Sequence, residues 1–543
     1  MFIKELMDEN NDVFFLTRPR GFGKTTNLNM LCKFLDLASD VDDSFRQLDI
    51  FQHESFCKMH FQQYPVIYLD FKDLKAENMK EFEDKILDLI KTNLENLSKF
   101  YKLDASLVDD IEKDVTQAPC FYLKDISEVL YFKFDKKCII LIDEYEMPLQ
   151  HALKMVLKDY KNNRLFYNDL IEFFKSFYGS GFKGNNYLYK GLMSGTVKIP
   201  DKRLIDPSLN NVVDATIIDR YFNEKFGFTK NEITKFLPHF NIDKNVMNID
   251  NMIKQYDGYF IGNPDHPQDR AKLFNPISVL LAIKTGNINE NNWIKTSYHR
   301  DLIYLFQNSK LSDHDLNKLL NLVLNFDHSQ TEIQANINDE IKDREKLSLN
   351  LNVLLLILLH SGYLTVLNSS GKSLLNLGIP NQEAIIGIRN LLSNIIESRL
   401  GVKYESLIKF LETFDLKSFK ESFEKILFTS SLDSFKHNKD FYHILVLGLL
   451  ISFGTKSLKQ VSIREIKSKR YEVKLLNVKC NEESVFVIEY KIAESKDKMI
   501  ETLNKTFNHI KDTYIPDKIM DKVFIAICFY KKDCLVDYKL YKK

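Results

Sequence analysis

The chain has 543 residues, of which 44% are hydrophobic and 28% charged, with only 18 Gly and 12 Pro. These values exclude a mainly disordered chain and any collagen-like or Pro-rich architecture, and the length predicts about three to four domains at roughly 150 residues each. Lys+Arg and Asp+Glu are both 75, so the formal charge is zero and any basic surface must be local.

The start, MFIKELMDENND, carries acidic residues where a signal peptide needs an apolar stretch. Candidate strands follow at Asp12–Thr17, Pro65–Phe71, Cys138–Ile142 and Leu188–Ser194, each a near-continuous apolar run suited to a parallel sheet covered on both faces. Helical spacing lies between them, as at Met79–Leu97 (Met79, Phe82, Ile86, Leu87, Ile90, Leu94). This strand–helix repetition predicts an α/β domain over 1–228. From Thr229 to Phe435 the sequence turns Leu/Ile/Asn/Lys-rich with helical periodicity, broken around Gly262–His266 and Ser369–Lys372, and predicts a helical middle region over 229–435. The last part, 436–543, predicts an α/β module: a helix at Phe441–Phe453, strands at Arg470–Leu476 and Ser484–Lys491, a helix at Lys496–Thr513 and a strand at Lys522–Phe529. The longest apolar runs, Val353–Leu359 and Ile444–Ile451, fall far short of the roughly 20 residues that cross a bilayer. Seven scattered cysteines without a CxxC pair read as reduced thiols. The expectation is a soluble, intracellular protein that does not engage a membrane.

The first strand runs into Arg18-Pro-Arg20-Gly21-Phe-Gly23-Lys24-Thr25-Thr26, with a helix expected over Asn27–Leu37. Strand, glycine-bearing turn and helix N-terminus form the setting of a phosphate-binding loop, because unpaired N–H groups and the helix dipole favour anions there. Lys24 is placed to reach the β/γ-phosphates and the Thr25 hydroxyl to ligate Mg²⁺. The usual first glycine, five residues before Gly23, is Arg18. The aliphatic strand Cys138–Ile142 then ends in Asp143-Glu144, at the sheet edge where α/β ligands bind. Asp143 is placed to hold Mg²⁺, and Glu144 to polarise an attacking water. Ser194 or Thr196 is either a γ-phosphate sensor or part of a simple turn. The implied ligands are ATP and Mg²⁺.

TRPRGFGKTTNLNML resembles the loop of the AAA-ATPase-like family, whose members carry a TRPRRFGKS-type loop and an LIDEYD-type acidic strand; here that strand reads Leu141-Ile-Asp-Glu-Tyr-Glu146. The resemblance accounts for Arg18, and it places Arg20, Gly21, Gly23, Lys24, Thr25 and Thr26 at the nucleotide. Similar segments follow in the family's order: Leu209-Asn-Asn211, Phe226-Gly-Phe-Thr229, Tyr256-Asp-Gly-Tyr259, Phe274-Asn-Pro276, Lys295-Thr-Ser297, Ser361-Gly-Tyr-Leu364 and Pro380-Asn-Gln-Glu383. The family continues upstream with a YVDKT-like segment missing here, which implies a truncated N-terminus. Lys198 stands where the family tends to have Arg.

In the last module, alternation puts Glu489 and Lys491 on one face of a strand, and the neighbouring strand carries Glu472. Two carboxylates and a lysine resemble the constellation of PD-(D/E)XK nucleases, in which acids ligate Mg²⁺ and the lysine steadies the nucleophile or developing charge. The resemblance implies metal binding by Glu472 and Glu489 and a catalytic role for both with Lys491; Glu465 is a weaker candidate. Glu472 replaces the family's Asp, Lys467 and Lys469 replace glycines, and His509 stands where the family's helix usually carries Gln. From Gly454 to Lys543 there are 20 Lys+Arg against 13 Asp+Glu, densest over Lys456–Lys479. This stripe reads either as a track for DNA or RNA phosphates or as a solvated Lys-rich face. The combined expectation is a P-loop ATPase domain with a nuclease-like module. The alternatives are a non-catalytic nucleotide switch whose inactive nuclease-like module serves only as a docking surface, and an ATP-dependent protein-remodelling factor. The oligomeric state is not legible.

Overall fold

The computed structural model describes the chain apart from residues 42, 44, 200–210, 241–246, 289–296, 310, 325, 327–330, 340–341, 344–346, 372, 430–438, 457–460, 467–469, 480–481, 515–520 and 542–543, and within 453–485 it describes backbone only. Met1–Trp293 with Gln334–Asn381 forms one compact unit, and Ile294–Ile333 with Gln382–Lys543 forms a second. The stretch 229–435 is therefore divided between them.

The first unit is built on a sheet of β1 (Val13–Thr17), β2 (Val66–Asp70), β3 (Cys138–Asp143), β4 (Leu188–Gly195) and β5 (Val212–Ala215), in the order β2-β3-β4-β1-β5. Every pairing is parallel. All five residues of β1 and all six of β3 are buried, as expected of strands with helices on both faces. Helix Met79–Tyr101 begins at Asn78, whose side chain accepts the Glu81 N–H, and buries Phe82, Ile86, Ile90, Leu94, Leu97 and Tyr101 along one stripe. Helix Tyr160–Phe182 starts likewise on Asp159 and lays Phe166, Leu170, Phe174 and Phe177 into the core. The four expected strands stand. The helix after the loop begins at Lys24 rather than Asn27, because Gly23, left-handed at φ 77°, already serves as its N-cap.

The middle stretch is not purely helical, which corrects the expectation. β6 (Tyr259–Ile261) pairs antiparallel with β7 (Ala271–Leu273), and β8 (Ile333–Asn336), β11 (Thr365–Ser369) and β12 (Leu374–Gly378) make a sheet of order β11-β12-β8, with a small pair between β9 (Lys342–Asp343) and β10 (Leu347–Ser348). The breaks seen at 262–266 and 369–372 are the connections of these antiparallel pairs. Strands of only two to five residues are too short for their alternation to outweigh flanking helical periodicity. Ile233, Met252, Tyr256, Phe274, Val279 and Ala282 close a separate small core.

In the second unit, helices including Gln382–Leu400 and Lys439–Lys456 accompany a sheet of β13 (Val461–Ile466), β14 (Arg470–Lys479), β15 (Glu482–Ile492), β16 (Asp521–Tyr530) and β17 (Asp533–Tyr541), hydrogen-bonded in that order. β13, β14 and β15 run antiparallel in sequence; β15 and β16 are parallel, joined through helix Met499–Tyr514. Val487, Phe524, Ala526 and Cys528 cluster with Met499, Leu503, Phe507 and Ile510 of that helix. On the opposite face, Tyr442 stacks on Phe529 with ring centroids 4.6 Å apart. Among the described residues, no helix is long and apolar enough to cross a membrane, and the six described cysteines form no disulfide.

Candidate nucleotide site and a second carboxylate cluster

The sheet order places β1 and β3 on either side of β4, so the loop after β1 and the acidic pair after β3 emerge at the same edge. The Thr25 hydroxyl donates to Asp143 Oδ2 at 2.6 Å. Asp143 is buried, and its other oxygen accepts the Glu144 N–H at 3.0 Å. Glu144 takes a left-handed φ of 53°, an uncommon conformation for a non-glycine residue, and its Oε2 is buried with no hydrogen-bond partner.

Lys24 is buried, and its ammonium donates to the Arg18 carbonyl at 3.0 Å, the Pro19 carbonyl at 3.4 Å and Thr196 Oγ1 at 3.1 Å. The first-turn N–H groups of Lys24, Thr25 and Thr26 have no acceptor within their own helix. Gly21, at φ 80°, also lacks room for a side chain: a Cβ there would lie 2.4 Å from Ile277 Cγ2 and 2.6 Å from Asn275 Oδ1. That close approach belongs to Phe274-Asn-Pro276. Asn275 Nδ2 donates to the Arg20 carbonyl at 3.0 Å, its Oδ1 caps helix Pro276–Thr285, and Ile277 N–H donates to the Gly21 carbonyl. From the other side Gly362 meets Pro19, and His360 Nδ1 lies 3.4 Å from Thr17 Oγ1. Burial pulls the His360 imidazole down to about 3, with the Lys198 and Arg18 charges acting in the same direction.

Arg18 does not face the loop's interior. Its guanidinium is fully buried and donates to the carbonyls of Thr17, Ala215, Tyr221 and Phe222 at 2.7–3.1 Å, above the ring of Phe226. Burial pulls its pKa down to about 9, opposed by Asp219 and Glu5. The residue in the first-glycine position thus ties the root of the loop to β5 and the turn beyond it. Lys198, in the position of the family's Arg, pairs with Asp214 at 2.6 Å.

One residue that sequence reasoning missed is Glu146. It is buried, accepts the Thr196 N–H on Oε1 at 2.6 Å and leaves Oε2 with no hydrogen-bond partner. Burial, then the Glu144 charge, raises its carboxyl to about 8, while Lys24 and the Thr196 amide pull the other way. The available signal was an acid two residues past the acidic pair, too close to a strand end for periodicity to place. Ser194 Oγ is also buried without a hydrogen-bond partner, whereas Thr196 is engaged from both its hydroxyl and its amide.

In the second unit, Glu489 is buried on β15, 2.8 Å from His509 Nδ1 through Oε2 and 3.8 Å from Lys491 Nζ through Oε1. Tyr490 points to the other face, toward His443 at 3.1 Å. Glu472 lies on β14, and since Val473 opposes Ile488, it stands one step along the hairpin toward Glu489. The side chains of Glu472, Glu465 and the basic stretch Lys456–Lys479 lie outside the described residues, as do Leu209 and Lys295.

A parallel sheet of this order, with a glycine loop and an acidic strand end meeting at one edge, defines an α/β protein with a P-loop-like domain. Residues 1–205 match the family model for predicted AAA-ATPase, which supports a nucleotide-binding, ATPase-like role. No curated protein matches the chain.

Proposed function

We propose that the chain binds and hydrolyses ATP at the Gly21–Thr26 loop. The observation that carries this reading is the 2.6 Å contact between Thr25 and Asp143, beside a buried Glu144 oxygen with no hydrogen-bond partner. Thr25 and Asp143 offer hard oxygen donors of the type that suits Mg²⁺, so they are the residues that would hold it, and the ion would supply charge neutralisation at the phosphates. Lys24 exchanges its loop carbonyls for the β- and γ-phosphates, and the first-turn N–H groups bind phosphate oxygens. Glu144 accepts the proton of the attacking water as it adds to the γ-phosphorus. In purified full-length protein, Lys24→Ala abolishes ATP binding, whereas Glu144→Gln binds ATP and releases no phosphate. Wild-type turnover by Glu144→Gln overturns the assignment of the base.

The 436–543 segment we read as a PD-(D/E)XK-like module that cuts nucleic acid with Mg²⁺, using Glu472, Glu489 and Lys491. Support comes from the helix–three-strand–helix–strand order and from Lys491 beside buried Glu489. A second reading, a docking surface without cleavage, is favoured by His509, which occupies the Glu489 oxygen at 2.8 Å. Incubation with mixed DNA and RNA in Mg²⁺ or Mn²⁺ separates the two: cutting that disappears in Glu489→Ala supports the nuclease, and intact substrate with salt-sensitive binding supports docking.

A further inference from the structure

We propose that Glu146 is a positioning residue that holds the end of β4 against Lys24 and takes up a proton when a nucleoside triphosphate binds at the loop. The inference rests on the nucleotide reading above and adds a linkage to it. A continuous chain of contacts joins the two ends: Lys24 Nζ donates to Thr196 Oγ1 at 3.1 Å, and the Thr196 amide donates to Glu146 Oε1 at 2.6 Å. The second oxygen, Oε2, lies directly over Gly195, where a Cβ would sit only 2.2 Å away, so no side chain could intervene. That oxygen is buried and has no hydrogen-bond partner, leaving it as the place for a proton.

The charges around Glu146 are few. Lys24 faces it from the loop helix and Glu144 from its own turn; Tyr145 beside it and Tyr178 on helix Tyr160–Phe182 feel its charge. Lys24 is the cation among them, and it favours the carboxylate. A triphosphate draws the ammonium toward itself and brings negative charge, and both changes favour the neutral acid. The proton comes from bulk solvent and adds to Oε2; no bond in the protein breaks. Burial and Glu144 raise the free carboxyl while Lys24 keeps part of it charged, so its protonation on binding takes up a net fraction of a proton per site. Binding that takes up a proton weakens as pH rises.

Calorimetric titration of the wild-type full-length chain with Mg²⁺-ATP at pH 8, in buffers of differing ionisation enthalpy, tests this. The expected result is net proton uptake and an affinity that falls as pH rises from 7 to 9. Glu146→Gln keeps an oxygen for the Thr196 amide; it is expected to bind ATP with no buffer-dependent heat and a flatter pH curve. The same uptake in Glu146→Gln as in wild type overturns the proposal, as does a wild-type affinity no more pH-dependent than the variant's. If Glu146→Gln fails to fold, Thr196→Val, which keeps the amide but removes the hydroxyl that receives Lys24, is expected to bind ATP with less proton uptake than wild type; uptake unchanged from wild type there overturns the proposal. Absence of any ATP heat in wild type refutes the nucleotide reading itself and the proposal with it, a pattern distinct from ATP binding without uptake.

Discussion

Removing the Arg18 guanidinium should cost stability rather than phosphate contacts. The group donates to four backbone carbonyls, at Thr17, Ala215, Tyr221 and Phe222, and is wholly buried. Hydrogen bonds from a charged donor contribute about 1.5–3 kcal/mol each, but burying the charge, whose cost is visible in a pKa pulled down to about 9, gives part of that back. Arg18→Met leaves the carbonyls buried without donors and should destabilise the protein by about 3–5 kcal/mol. Arg18→Lys keeps a cation but not the planar fork, and should recover only part of the loss. Chemical denaturation followed by circular dichroism gives the size of the effect. Amide hydrogen exchange across Val212–Ala215 locates it, because β5 pairs only with β1 among the described strands. A shift below about 0.5 kcal/mol, the range of an ordinary surface substitution, would refute the argument that Arg18 holds the loop's root.

Gly21→Ala combines a strained φ of 80° with a Cβ 2.4 Å from Ile277, and is expected to weaken ATP binding at least tenfold in a titration while Gly179→Ala, with open space around it and no positive φ, leaves binding unchanged. Asn275→Ala removes both the cap of helix Pro276–Thr285 and the donor to Arg20, and should lower stability by about 1–2 kcal/mol in urea unfolding. His360 has a folded pKa of about 3 against an ordinary value of 6.5, so the unfolded chain binds more protons between them; its contribution is complete above pH 6.5 and is lost as pH falls, by about 2 kcal/mol at pH 5. Urea midpoints at pH 7.5 and pH 5 should therefore lie closer together in His360→Gln than in wild type.

How far the site was legible depended on the range of each interaction. Lys24, Thr25, Asp143 and Glu144 could be named because each sits at the end of a strand or the start of a helix, positions that apolar runs mark. Nothing local in Phe274-Asn-Pro276 or Ser361-Gly-Tyr-Leu364 says that these segments wall the loop. Their contacts with Gly21 and Pro19 span more than 250 residues. Within the two five-stranded sheets, the strands that went unread, β5, β13 and β17, are all edges, where one side lacks a partner and the sequence need not be continuously apolar.

Local periodicity, then, determined four strands of the α/β region and the places where phosphate chemistry could sit, since burial on both faces of a strand writes itself directly into consecutive residues. Only the tertiary structure decided the strand order that brings Thr25 to Asp143, the inward turn of Arg18 toward β5, and the burial of Glu146 under Gly195. Those features depend on distances between residues remote in the chain, and on desolvation, which no stretch of sequence carries by itself.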